Sequence, residues 1–470
     1  MVNMDNKRIV IVGAGPAGMG CAYTLANAKQ SSLVVEQDDA PGGLCRTLNF
    51  CGYLFDIGGH RFLSKSKEIN QLWQDIMNGD MLSVKRLSRI YYKKKYFNYP
   101  LSFFNTMSNL GPLEASLCVG SYVKHKYFKH GKDNTFAEWI TNRFGKRLFD
   151  IFFRTYTEKV WAVPCEDISS DWAKQRIRGL SLRVALRDAL GFKGETPKTL
   201  SDRFLYPRTG PGEFYGRLES KTARLGTQFE FGKTVTSIRQ NEGKIASIKL
   251  RGTRDAKEEE VLLDHLCLSM ALTTVIKLLE PRPPDQVLAA AKKLAFRDFM
   301  VVNVILDKEN VFPDQWLYIH SPEVRVGRIQ NYKNWSPAMV PDIKKTSLGL
   351  EYFCNSGDDL WGMNDADLIN YAVRELEEIG IASRRYLING FVVRRKNAYP
   401  VYSLDYQENI KIIRDYLKGL SNLHPMGRSG LFRYDNSDHA LLTGIYTARN
   451  LMGETACDIW GIDADNESCP

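Results

Sequence analysis

Little in this chain ties it to a membrane, to nucleic acid or to a metal. No apolar run approaches the roughly 20 residues that cross a bilayer as a helix, so a membrane-spanning protein is not expected. None of the nine cysteines stands in a C-x-x-C pair, and none has histidines for company. That argues against zinc and against a disulfide framework, and for reduced thiols in a cytoplasmic protein. The first strand-like run begins at Ile9, which leaves no room for a signal peptide. Internal repeats, low-complexity linkers and nucleic-acid-binding motifs are all missing. The net charge of +10 is therefore read as suited to an anionic small ligand, with no nucleic acid as partner.

What is present begins at Arg8. Ile9 to Val12 is an apolar, β-branched run, as in a buried parallel strand. Gly13, Gly15 and Gly18 follow at G-x-G-x-x-G spacing, and Met19 to Ala28 has few helix breakers. Gly13 permits a tight turn, Gly15 lets backbone approach a phosphate, and Gly18 lets the helix pack on the strand. A second strand, Leu33 to Val35, ends in Glu36, placed to accept hydrogen bonds from a ribose. Strand, turn, helix and acid in this order predict a dinucleotide site.

Further along, Pro41-Gly42-Gly43-Leu44 and Arg46 form a glycine turn followed by a cation. Asp56-Ile57-Gly58-Gly59-His60 brings a second glycine pair, suited to close packing of backbone against a flat ligand. The stretch from Arg89 to Pro100 alternates basic and aromatic residues and reads as a strand or hairpin. From Leu101 the signal is mainly helical, with a break expected from Thr155 to Pro164. Strand patterns return at 229–250, 265–270, 299–306 and 348–353, and a last helix is expected from about Ser437. The apolar stretch 113–128 with its cluster Lys124 to Lys132 is read as a solvated helix end, and membrane association is not expected. The fold class is α/β: a discontinuous Rossmann-like domain over 1–75, 205–275 and 395–470, a mainly helical insertion at 76–204, and a second β-sheet substrate domain at 276–394.

Together the first glycine motif, Pro41 to Leu44 and Asp56 to His60 resemble the FAD enzymes that include amine oxidases, protoporphyrinogen oxidases and UDP-galactopyranose mutases. The resemblance implies FAD as resident cofactor, held by Gly13, Gly15, Gly18, Glu36, Gly43, Leu44, Arg46, Gly58, Gly59 and His60, with Asp438 and His439 at the opening of the last helix. No histidine or cysteine stands in a flavinylation motif, so the FAD is expected to be non-covalent. Five further blocks resemble the mutases, in the same order and over most of the chain. They are Thr155 to Pro164; Asp171-Trp172 through Arg176; Trp316 to Tyr318 with Arg328 to Pro337; Arg394-Arg395 through Leu404; and Gly427-Arg428 through His439.

The mutase resemblance implies a redox-neutral isomerase in which N5 of reduced FAD attacks the anomeric carbon of a nucleotide sugar, and pyranose and furanose forms interconvert. It implies a nucleotide-diphosphate sugar as partner, NADPH or NADH as the external reductant, and cell-surface polysaccharide biosynthesis as the setting. An oligomer is compatible with it, and no metal is called for. Arg328 and Arg428, each beside aromatics and turns, would converge on the diphosphate with bidentate, charge-assisted hydrogen bonds. With His60 they are the expected catalytic residues. Arg89, Tyr99, Trp161, Arg176, Tyr318, Tyr399 and Tyr434 are the expected substrate contacts. Two places depart from the mutases: Thr157 replaces their Asn before Lys-Val-Trp, and Leu101-Ser102-Phe103 replaces Phe-Gln-Asn in the stretch that meets the base. Sugar and base stay open, with UDP-galactose as first candidate. The alternative is an FAD-dependent oxidoreductase of the amine oxidase or protoporphyrinogen oxidase type.

Overall fold

The computed structural model describes residues 7–176 and 202–462. Ile9–Val12 is buried throughout and forms the centre of a five-stranded parallel sheet. Across that sheet the order is Leu423–Pro425, His265–Leu268, Ile9–Val12, Ser32–Glu36 and Gln228–Phe231. Its near-continuous apolar strands follow from burial on both faces. The helices Pro16–Asn27 and Ser437–Leu451 cover one face, and their side chains join one apolar core with Trp73, Phe214 and Tyr215. The five strands come from three distant parts of the chain, 9–36, 228–268 and 423–425.

A second, seven-stranded sheet carries the other half of the molecule, in the order Leu387–Pro400, Phe296–Leu306, Thr346–Cys354, Arg328–Asn331, Trp316–Ile319, Ser88–Tyr92 and Lys95–Asn98. Its pairs are antiparallel except Trp316–Ile319 with Ser88–Tyr92. The expected domain boundaries do not follow these ladders. The segment expected to be mainly helical opens with three strands, Met81–Lys85, Ser88–Tyr92 and Lys95–Asn98, and the last two complete the second sheet. Pairing of Leu387–Pro400 with Phe296–Leu306 likewise continues to Pro400, past the boundary placed at 395. Partners from 81 to 228 residues apart set these edges, and composition along the chain carries no trace of them.

The insertion proper is helical from Phe103 onward, although residues 177–201 of it lie outside the described residues. The expected break at Thr155 does not occur. A π-turn at Phe149–Arg154 passes directly into the helix Thr155–Trp161. Arg154 stabilises the junction through Asp150, Glu158 and Glu166. A π-turn shifts the helical phase, which is why the apolar periodicity seems to lapse there. Among the described cysteines, seven are free thiols, whereas Cys457 is disulfide-bonded, against the expectation of reduced thiols throughout. Cys457 lies in a loop that Asn450 clamps from both sides, accepting from the Cys457 amide and donating to its carbonyl. No helix among the described residues is long and apolar enough to cross a membrane.

Candidate active site

The turn after the first strand is built as its glycines require. Gly13 adopts φ 99°, and a Cβ there would lie 2.2 Å from Ser269 Oγ. A Cβ on Gly18 would lie 1.8 Å from the Gly13 carbonyl, so helix and turn touch backbone to backbone. Gly15 is different, because its open side meets only Gly43 Cα, at 4.0 Å. The second glycine turn docks on the first through Gly42 N–H donating to Ala14 O at 2.8 Å. Glu36 is buried, and its two carboxylate oxygens accept from Ala14 N at 2.7 Å and Asp38 N at 3.0 Å. Burial holds its carboxyl above the usual range. Each oxygen keeps a further lone pair, so the expected ribose contact is compatible with this loop-fixing role.

Gly13, Gly15 and Gly43 line a cavity of about 500 Å³ that continues past Leu44 and Cys45 to Gly59, His60 and the start of the helix Ser437–Leu451. The N-termini of the helices Pro16–Asn27 and Ser437–Leu451 border it and bring the positive ends of both helix dipoles to the cavity. Arg61, Lys233, Arg395, Lys396 and Arg428 add cationic lining. Asp435 is a buried carboxylate in the wall. Neither of its oxygens has a hydrogen-bond donor, and the closest charge is Arg433 Nη2 at 3.3 Å. An elongated, anionic, hydroxyl-bearing ligand meets these demands, so the residues present fit FAD. Arg46 is turned to Asp39 at 3.0 Å and Asp38 at 3.5 Å, and Arg395 reaches Asp38 at 2.8 Å, so the cation after the glycine turn fixes the loop beside Glu36.

His60 stands where this cavity meets the second sheet. Its Nε2 lies 3.1 Å from Ile57 O. Burial, then the Arg428 guanidinium and more weakly Arg328, push the imidazole down to about 4, so it is neutral at physiological pH. Behind it a Cβ on Gly59 would fall 2.8 Å from Gln330 Nε2, and Gln330 donates to Glu351 at 2.6 Å. Glu351 is fully buried and binds Arg328 Nε and Nη2, at 2.6 and 2.5 Å. Arg328 Nη2 also reaches Tyr399 OH at 3.3 Å.

Tyr399 and Tyr434 stack at 5.4 Å between ring centres, and Arg428 lies over both rings, at 5.4 and 4.8 Å. Arg428 donates Nε and Nη2 to the Asp435 carbonyl. The two arginines thus flank one tyrosine pair, Arg328 at a hydroxyl and Arg428 over the faces. Trp161 and Trp172 meet Tyr434 edge to face, and the wall continues through Tyr156 and Tyr318 to Tyr99.

The structure brings together His60, Arg328, Arg428, Trp161, Tyr318, Tyr399, Tyr434 and Tyr99, as well as Gly58, whose φ of 87° turns the loop under Phe299. Asp438 is buried at the helix opening, accepting from Ser64 Oγ at 2.9 Å, with His439 Nδ1 at 3.1 Å. Arg89 is held elsewhere, bidentate on buried Asp314 and over the Tyr96 ring. Arg176 ends the helix Ser170–Arg176, and its side chain lies outside the described residues. Sequence reasoning missed Glu351, Gln330, Asp435 and Lys159. Half-buried Lys159 donates to the carbonyls of Ile319, Ser321 and Val326 and ties the insertion to the second sheet. Its position in the Lys-Val-Trp block is the one signal that pointed to it.

The sequence pattern described as flavin containing amine oxidoreductase matches residues 16–451. Over 273 residues the chain is 22% identical to a 1-hydroxycarotenoid 3,4-desaturase from Flavobacterium sp. (strain P99-3), covering 53% of this chain and 55% of that protein. Over 299 residues it is 22% identical to a zeta-carotene-forming phytoene desaturase from Myxococcus xanthus, covering 59% and 56%. The chain therefore spans about half the length of the curated relatives it matches. Among solved structures it resembles reduced UDP-galactopyranose mutase, with TM-score 0.83, 22% identity and 96% of both chains covered. It also resembles putrescine oxidase bound to putrescine, with TM-score 0.63, 14% identity and 95% and 99% coverage. These structural likenesses show a shared fold.

Proposed function

The chain belongs to the flavin containing amine oxidoreductase family, and from that premise we propose that it is a flavin-dependent nucleotide-sugar mutase interconverting pyranose and furanose forms. The observation that carries this reading is the pair Arg328 and Arg428 flanking the stacked Tyr399 and Tyr434 beside His60. Such a wall offers fixed guanidiniums and phenolic donors to a diphosphate. The turn at Gly13 to Gly18, Gly43, Leu44, Gly58 and Gly59, with the helix opening at Ser437-Asp438, would hold FAD. When bound and reduced by NADPH or NADH, FAD supplies the nucleophilic nitrogen.

The protein's part is positional. Arg328, fixed by Glu351, holds a departing diphosphate within reach, so its return competes with diffusion. Tyr399 and Tyr434 donate hydrogen bonds to the same phosphates and, with Trp161, keep water from the sugar. Neutral His60 donates its Nε2–H to the Ile57 carbonyl, which leaves Nδ1 without a proton, and brings no further positive charge beside the arginines.

The test is anaerobic incubation of dithionite-reduced protein with UDP-galactose and other nucleotide sugars. Isomerised product is expected over many turnovers per electron pair delivered, and none from the oxidised protein. Arg328→Ala should weaken UDP binding by roughly 2–5 kcal/mol while leaving uridine binding nearly unchanged. The desaturase relatives favour a second reading, net oxidation of the amine oxidase or protoporphyrinogen oxidase type. One oxygen or one NADPH consumed per product would establish that reading and overturn the mutase.

A further inference from the structure

A second cavity, of about 850 Å³, lies away from the flavin cleft, between the hairpin Ser88–Tyr92/Lys95–Asn98 and the helix Pro112–Tyr127. Lys93, Lys95, Lys124, His125, Lys146 and Arg147 line it. Two carboxylates face them, and both are committed. Glu114 binds Arg147 at 2.5 and 2.7 Å, and Asp150 binds Lys146 at 2.8 Å. Lys95 donates to the Asn109 carbonyl at 2.5 Å. Lys93 and Lys124 have no carboxylate within ion-pair distance among the described residues.

The helix bordering this cavity has its apolar residues on the wrong side for a core. Cys118 is buried, yet Leu113, Leu117, Val123 and Tyr127 form a stripe on the outward face, 77%, 45%, 46% and 72% exposed. Phe128 after this helix and Phe104 on the preceding one are exposed as well. Of the thirteen large apolar side chains exposed among the described residues, seven fall between 104 and 128, so this is a patch and not scatter. Leu117 belongs to both the stripe and the cavity lining. Between 112 and 132 four lysines stand against one acid, Glu114. A second copy of the chain is a poor occupant, because a two-fold contact would bring these lysines together.

We propose that this cavity and helix face bind a phosphate-headed amphiphile, its anionic head at Lys93 and Lys124 and its alkyl chain along Leu117 and Leu113. Lysines with flexible stems beside an apolar stripe match such a ligand, the stems lying on the chain and the ammoniums on the head. The inference is independent of the sugar chemistry proposed above.

The experiment uses the flavin-loaded full chain. One arm measures co-sedimentation with phosphatidylglycerol vesicles and with phosphatidylcholine vesicles. A second measures calorimetric binding of dodecyl phosphate below its micelle concentration, and a third measures inorganic phosphate. Dodecyl phosphate binding without vesicle binding upholds the proposal, whose occupant is a free amphiphile, and co-sedimentation with phosphatidylglycerol would identify a bilayer surface instead and overturn it. Lys93→Glu with Lys124→Glu, and separately Leu113→Ser with Leu117→Ser, should each weaken that binding by about tenfold or more. Flavin content and melting temperature should match the wild type. No binding in the first two arms, binding unmoved by either double variant, or inorganic phosphate binding as tightly as dodecyl phosphate would each overturn it.

Discussion

Asp56 concentrates a pH response in one residue. It is 2% exposed, accepts from Thr47 Oγ1 at 2.7 Å and from Tyr206 OH, and still burial pushes its carboxyl up to about 7. A raised acid holds its proton longer in the folded state than in the unfolded chain. Its stabilising contribution is complete below the unfolded value near 4 and is lost as pH rises to 7. At about 1.4 kcal/mol per unit, that is on the order of 4 kcal/mol. His60 acts in the opposite direction, since a lowered base costs stability as pH falls from about 6.5 to 4. Asp56→Asn should therefore gain on the wild type by a few kcal/mol between pH 4 and 7, measured by urea unfolding at each pH. A constant difference across that window would show that Asp56 stays ionised. The sequence displayed Asp56 only as the acid before a glycine pair. Tyr206, which seals it from solvent, stands 150 residues away and carries no local mark.

At the scale of elements, the crossing of Pro16–Asn27 and Ser437–Leu451 aims both helix openings at the cleft. The two helices meet almost backbone to backbone. A Cβ on Gly444 would lie 1.9 Å from the Ala17 carbonyl, and one on Gly20 2.6 Å from the Leu441 carbonyl. Neither contact can relax by a side-chain rotation. Gly444→Val is expected to cost roughly 3 kcal/mol or more, the upper range of overpacking, and to release flavin before the core unfolds. Flavin fluorescence and far-ultraviolet circular dichroism followed along one urea titration would separate the two events; coincident transitions with unchanged midpoint would refute the tight crossing. Both helices were legible in sequence, from the glycine turn before one and the apolar run after Ser437 in the other. Their crossing was not, because Gly444 is silent without its partner Ala17, 427 residues earlier. The glycine turns, the second-sheet strands and the tyrosines of the arginine wall were legible for the same reason that these helices were: each is a local pattern or part of a short block. Glu351 was not, since a lone glutamate in an apolar strand declares its role only when Arg328 and Gln330 pair beside it.

For the whole molecule, the flavin cleft is a junction. Its lining comes from the first strand and turn, the strand Lys233–Asn241, the loop after His265–Leu268, the end of Leu387–Pro400 and the opening of the last helix. A ligand that touches all of these binds only the folded arrangement, so its binding energy adds to the stability of the junction. Cys45 in the lining is buried with its thiol pushed up to about 12, and no flavinylation motif surrounds it or His60, so acid precipitation is expected to release the flavin intact. At free FAD one hundred times its dissociation constant, linkage gives about 2.7 kcal/mol, and stability should rise further with the logarithm of FAD concentration. For a chain of this size that is several degrees of melting temperature, at ~2–4 °C per kcal/mol in a domain of 150–250 residues. The flavin-free protein should melt lower, recover on titration with FAD, and respond far less to FMN, which lacks the adenylate half proposed to sit at the Glu36 end of the cleft. Equal recovery with FMN would mean that this end contributes nothing to binding. A melting temperature indifferent to both would mean that the junction closes without a dinucleotide.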